Sequence, residues 1–161
     1  MRYLLDANIF IEAKNLFYRF AVCPGFWDWL AQANVDGVVF SVDQVRTDLL
    51  VGTDDLAIWA SHQTAAFFLP VDGAVTKATV PVSAWVQGQP FADAAKAAFF
   101  ASSDYWLIAH ALAYGFVVVT RETPDPKSRR RVKIPDVCRA VGVNFTNPFD
   151  MLESEGARFV L

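Results

Sequence analysis

The chain has 161 residues, 54% of them hydrophobic and 19% charged, with a net charge of −3. This balance belongs to one compact domain and excludes a disordered chain, while the negative charge speaks against a general nucleic-acid coat. No apolar run approaches the roughly 20 residues of a membrane span. Asp6 and Asn8 also stand where a signal sequence would be apolar, so a cytoplasmic protein without a membrane segment is expected.

Arg2 to Leu5 is an apolar run ending at Asp6, and Ile9, Phe10, Ala13, Leu16 and Phe17 follow at helical spacing. Cys23-Pro24-Gly25 breaks that pattern. Phe26 to Ala33 predicts a second helix, whose aromatics Phe26, Trp27 and Trp29 are expected to pack in the core. Gly37 to Ser41 reads as a buried strand, and Ser41 or Asp43 as the cap of a helix reaching Val51. Asp54 to Thr64 is a further helix, with a short strand at Phe67 to Leu69. Ala74 to Val86 and Phe91 to Ala101 predict two helices split by Gly88-Gln89-Pro90.

Ser103 is the expected cap of a helix over Asp104 to Tyr114, stopped by Gly115. Phe116 to Thr120 is the clearest buried strand, and Pro124 to Arg131 a loop. Pro135 to Val141 predicts a short helix, Gly142 to Phe145 a strand, and Pro148 to Glu155 a last helix. Arg158 to Leu161 is expected to add an edge strand. Short apolar strands alternating with helices imply an α/β domain, with a mostly parallel sheet covered on both faces.

In such a sheet the site lies beyond the carboxyl ends of the strands. Asp6, Asp48, Asp104, Glu122 and Asp136 all fall at strand ends or in the helices that follow. Each alone has a structural explanation as a cap, a solvated helix residue or a dipole partner. Together they would repel one another unless a divalent cation sat among them. Mg²⁺ (or Mn²⁺) suits such oxygen donors and a phosphate substrate. Cys23 and Cys138 lie far apart and read as core residues, and His110 as a partly buried, hydrogen-bonded side chain. With no histidine or cysteine cluster zinc is disfavoured, and without a glycine-rich phosphate loop so is a nucleotide triphosphatase. Lys127, Arg129, Arg130, Arg131 and Lys133 put five positive charges in seven positions. They form either a solvated loop or a patch that contacts phosphates.

Tyr3-Leu4-Leu5-Asp6-Ala7-Asn8-Ile9-Phe10-Ile11 resembles the opening motif of PIN domains. Asp104 to Ala111 and Val117-Val118-Val119-Thr120-Arg121-Glu122 resemble two later motifs of that superfamily. Ile11-Glu12-Ala13-Lys14, Cys23 to Leu30, Lys133 to Cys138 and Pro148 to Leu161 resemble a bacterial PIN-like branch labelled a domain of unknown function. The resemblance implies a three-layer α/β/α domain with four to five strands, filling residues 1–161. It implies a metal-dependent ribonuclease, like the VapC-type toxins held in check by an antitoxin. Asp6, Asp48, Asp104 and Glu122 would be the metal-site acids, Asn8 and Thr120 polar supports, and Asp136 a further support. An RNA substrate and a homodimer are also expected.

Two positions depart from the family pattern. Asp48 stands for the usual Glu, and Glu122 for the commoner Asp. Each moves a carboxylate by about 1.5 Å, which matters for an ion that demands near-ideal geometry. The alternative is therefore an inactive PIN-like scaffold that binds RNA or a protein. A phosphotransfer domain fits poorly, because no second acid follows two positions after Asp6.

Overall fold

The computed structural model describes residues 1–161. Five strands form one parallel sheet: β1 (Tyr3–Leu5), β2 (Val39–Val42), β3 (Phe68–Leu69), β4 (Val117–Val119) and β5 (Phe145–Thr146). Their order is β3-β2-β1-β4-β5. Tyr3 pairs with Val39 on one side and Val117 on the other, and Val119 pairs with Thr146. Runs such as Val117–Val119 carry no alternation because both faces of the sheet are covered.

Nine helices connect and cover the strands. They are α1 (Ala7–Glu12), α2 (Pro24–Val35), α3 (Asp43–Leu50), α4 (Asp55–Ser61), α5 (Gly73–Gly88), α6 (Asp93–Ala101), α7 (Ser103–Tyr114), α8 (Ile134–Val141) and α9 (Pro148–Ser154). Between α1 and α2, Ala13–Phe17 forms a π-helical turn, a feature frequent near functional sites. One helical layer contains α1, α3 and α4. The other contains α5 to α8, with α5 lying along α7 and α8. The fold is the expected α/β/α arrangement, and no helix is long and apolar enough to cross a membrane.

The main departures are local. Ser102, not Ser103, occupies the N-cap of α7, and its hydroxyl donates back to the Phe99 carbonyl at 2.7 Å. Neither Ser41 nor Asp43 caps α3 through its side chain. Ser41 is buried in β2 and donates its hydroxyl to the Leu5 carbonyl at 2.7 Å. Gly142 (φ 78°) closes α8 in the left-handed conformation instead of opening a strand, so β5 begins only at Phe145.

Arg158 to Leu161 forms no strand. Phe159 packs edge-on against Tyr18 and Phe26, at ring-centroid distances of 5.7 and 6.0 Å, and this aromatic cluster holds the segment where a sheet edge was expected. Phe26 and Trp27 are buried, as their role in the core requires. Cys138 is buried, Cys23 half-buried, and both are free thiols.

His110 also differs from expectation. It is 1% exposed, and neither ring nitrogen has a hydrogen-bond partner. Burial lowers its pKa to about 4, with a smaller opposing pull from Asp72, so the ring is neutral at physiological pH.

Candidate active site

From β1 the chain winds towards β2 and β3, whereas from β4 it winds the other way towards β5. Neighbouring strands whose connections diverge leave a crevice beyond their carboxyl ends. Asp6 leaves β1 into this crevice, and Thr120 and Glu122 leave β4 into it.

Asp6 is 2% exposed. One carboxylate oxygen accepts the backbone N–H of Asn8 at 2.7 Å, capping α1, and the other accepts the Thr120 hydroxyl at 2.9 Å. The same Thr120 oxygen accepts the Glu122 N–H at 3.1 Å. A single buried hydroxyl thus joins the end of β1 to the turn after β4. Burial raises the Asp6 pKa to about 6, against the two hydrogen bonds that lower it; Glu122 and Glu12 add repulsion.

Asp104 reaches the same place from the first turn of α7. Its pKa is pushed up to about 7, by burial first and then by the negative charges of Asp6 and Glu122. Arg131 pulls it down, and Asp48 adds a last upward contribution. The helix N-terminus favours a carboxylate, yet burial and three other acids outweigh it. Cys138, beneath the site on α8, responds to the same field: burial raises its thiol to about 12, with Glu122 and Asp104 adding to the rise.

Asp6, Asp104 and Glu122 therefore lie close enough for their charges to interact, although Asp104 lines a cavity with Arg130 and Arg131 and Glu122 lines another with Thr120. Asp48 is exposed on α3 and acts on Asp104 only through its charge. Asn8 contributes its backbone N–H, and its side chain is exposed. Asp136 is not among the charges acting on Asp104. Its carboxylate accepts the Asp125 N–H at 3.0 Å and lines a neighbouring cavity.

The basic loop divides its cations between two cavities. Arg130 and Arg131 border one of about 200 Å³ with Asp104, and Arg129 borders one of about 360 Å³ with Asp136. Lys127 and Lys133 line neither. Two arginines hold the outer acids: Arg131 meets Glu122 at 3.3 Å, and Arg121 meets Glu12 at 2.6 Å. Glu12 was not anticipated as a site residue. It sits inside an otherwise ordinary helical motif, and only its reach to Asp6 and Arg121 marks it.

The donors in the crevice are carboxylate oxygens, the chemistry of Mg²⁺ or Mn²⁺. No three acidic, histidine or cysteine side chains stand at ligand spacing around one point. The arrangement fits an ion touched by one or two carboxylates and otherwise hydrated, which is how Mg²⁺ is usually held. It does not fit a closed protein cage.

The model of a family described as a domain of unknown function (DUF4411) matches residues 3–159. Two solved structures share the fold. VapBC2 from Rickettsia felis, bound to a DNA fragment from their promoter, has 13% identity and a TM-score of 0.53, with 91% of this chain and 98% of that chain covered. FitAB bound to an IR36 DNA fragment has 15% identity and a TM-score of 0.55, with coverage of 91% and 95%. No curated protein matches the sequence. The chain belongs to the DUF4411 family, and its fold is PIN-like.

Proposed function

We propose that this protein is a divalent-cation-dependent ribonuclease. The observation that carries the reading is the Asp104 carboxyl group, held near neutral pKa by burial and by Asp6, Glu122 and Asp48 converging on it from three other elements. Burial and like charges arranged around a carboxyl group in a cleft are the means by which active sites shift pKa values. Bound Mg²⁺ or Mn²⁺ would supply an activated water and neutralise charge developing on a phosphoryl group.

The chain's own residues do the rest. Asp6 is locked by Thr120 and the Asn8 N–H, so its position does not change when charge arrives. With a pKa of about 7, Asp104 is only partly ionised at neutral pH in the absence of a cation and is the group whose ionisation a cation would drive. Glu122 and Asp48 complete the negative field. Arg130 and Arg131 border the Asp104 cavity, where they meet the phosphates of an RNA backbone.

Cleavage of a mixed RNA pool with Mn²⁺ or Mg²⁺, wild type beside Asp104→Asn, tests the reading. Cation-dependent cutting that the variant lacks supports it, and equal cutting by both proteins defeats the site. A second reading, a PIN-like scaffold that binds without cutting, is favoured by the absence of three acids at ligand spacing. Titration with Mn²⁺ separates the two, because a scaffold has no reason to hold the ion. An antitoxin partner is part of the leading proposal. Its support is the resemblance of the motifs to VapC-type toxins and the likeness of the fold to chains solved as the VapBC2 and FitAB complexes. A cytoplasmic homodimer completes the proposal.

A further inference from the structure

The larger cavity beside the basic loop is not needed to explain the acidic crevice. It measures about 360 Å³, within the range of small-molecule sites. Trp85, near the end of α5, and Phe91, in the turn to α6, form its aromatic wall, with ring centroids 6.0 Å apart at an angle of 68°. Arg129 and Arg139 are exposed residues of its lining, to which Asp125 and Asp136 also belong.

The walls are tied together. Ala92 donates its N–H to the Arg129 carbonyl at 2.8 Å, fixing the loop to the aromatic turn, and the Asp125 N–H is held by Asp136 at 3.0 Å. Two consecutive residues of the same loop, Arg130 and Arg131, border the cavity that contains Asp104. A strand whose phosphates cross this loop can therefore offer a base to one side of it and a scissile bond to the other.

We propose that this cavity is a subsite for one unpaired base of an RNA strand, guanine by preference. The RNA assignment rests on the ribonuclease reading above. Aromatic faces stack any base, and arginines beside them meet the flanking phosphates. Arg129 spends one nitrogen on the Pro126 and Ser128 carbonyls at 3.2 Å, which leaves its other N–H groups for phosphate oxygens. The carboxylates select among bases. Guanine presents two adjacent donors, N1–H and the exocyclic amino group, to a carboxylate acceptor. Uracil has a single ring N–H and no amino group. A paired base presents neither its face nor that edge, so duplex RNA is excluded.

Fluorescence anisotropy of labelled RNA octamers, all-uracil or with one central guanine, measures this in EDTA with the full chain. The guanine octamer is expected to bind about tenfold more tightly, and Trp85→Ala to weaken it by about tenfold and abolish the preference. Asp136→Asn, which keeps an oxygen for the Asp125 N–H, should abolish the preference alone, and it decides the matter if Trp85→Ala fails to fold. Arg139→Gln should reduce the salt slope by about 0.7 and leave the preference intact. Equal binding of the two octamers by the wild type, a preference that survives Asp136→Asn, or tighter binding of DNA or duplex octamers would overturn the subsite. Because no cation is present, a failure of cleavage leaves these affinities unchanged, whereas an active enzyme indifferent to guanine removes the subsite alone.

Discussion

Replacing Asp104 by Asn should make the cation-free protein more stable at alkaline pH. In the unfolded chain this carboxyl ionises at its ordinary value of 3.8; in the folded protein it keeps its proton up to about 7. As pH rises through that window the unfolded state loses a proton that the native state still holds, so stability falls with rising pH. Above the window the folded protein carries the whole cost of a half-buried charge facing Asp6, Glu122 and Asp48. The gap between 3.8 and about 7 corresponds to about 4 kcal/mol, and screening by water at the partly exposed side chain reduces it to about 2 to 3. Urea denaturation in EDTA should therefore show Asp104→Asn more stable than the wild type by that amount at pH 8.5, with the difference gone near pH 3.5. Saturating Mg²⁺ should stabilise the wild type by mass action and leave the variant largely unmoved. A variant less stable at pH 8.5, or a difference that does not change with pH, would refute the electrostatic account of the crevice.

Other outcomes follow from the same contacts. Thr120→Val keeps the shape of the side chain but removes the donor to buried Asp6; it should cost about 1 to 3 kcal/mol in urea denaturation at pH 8. A cost near zero would mean that the bond does not hold the site. The unfolded chain protonates His110 near 6.5 and the native protein only near 4, so this residue by itself withdraws about 3 kcal/mol of stability as pH falls between those values, opposing the gain from Asp104 and Asp6. The acid-side loss should be absent in His110→Leu, which should also be at least as stable at pH 7 because two unpaired buried nitrogens disappear. Equal acid sensitivity of both proteins would contradict this. Cys138, buried and with its thiol raised to about 12, should resist a thiol reagent at pH 8 that modifies half-buried Cys23. Rapid modification of two thiols in the folded protein would argue against the packing of α8.

Much of the framework was legible in the residues because its causes are local. Val117-Val118-Val119 is a short β-branched run that reads as a buried strand, and Asp104 to Tyr114 followed by Gly115 carries its own helix and its own stop. The same patterns place Asp6 and Glu122 beside strand ends and Asp104 at a helix start, since period and punctuation alone set where elements end. Where neighbours compete, that logic slips by a residue or fails. Ser102 displaced Ser103 as a cap, Gly142 took the end of a helix instead of the start of a strand, and Phe159 joined an aromatic cluster instead of a sheet edge.

What the sequence determined by itself was the α/β class, the order of the elements and the residues whose motifs resemble a PIN domain. Only the tertiary structure decided which charges meet. The bond from Thr120 to Asp6 joins residues 114 positions apart, and it exists because β4 pairs directly with β1. The same packing left Asp48 exposed, sent Asp136 to the cavity of Trp85, and brought Arg131 to Glu122. Charge interactions fall with distance and grow with burial. Both quantities are properties of the packed chain, and neither can be read from spacing along it.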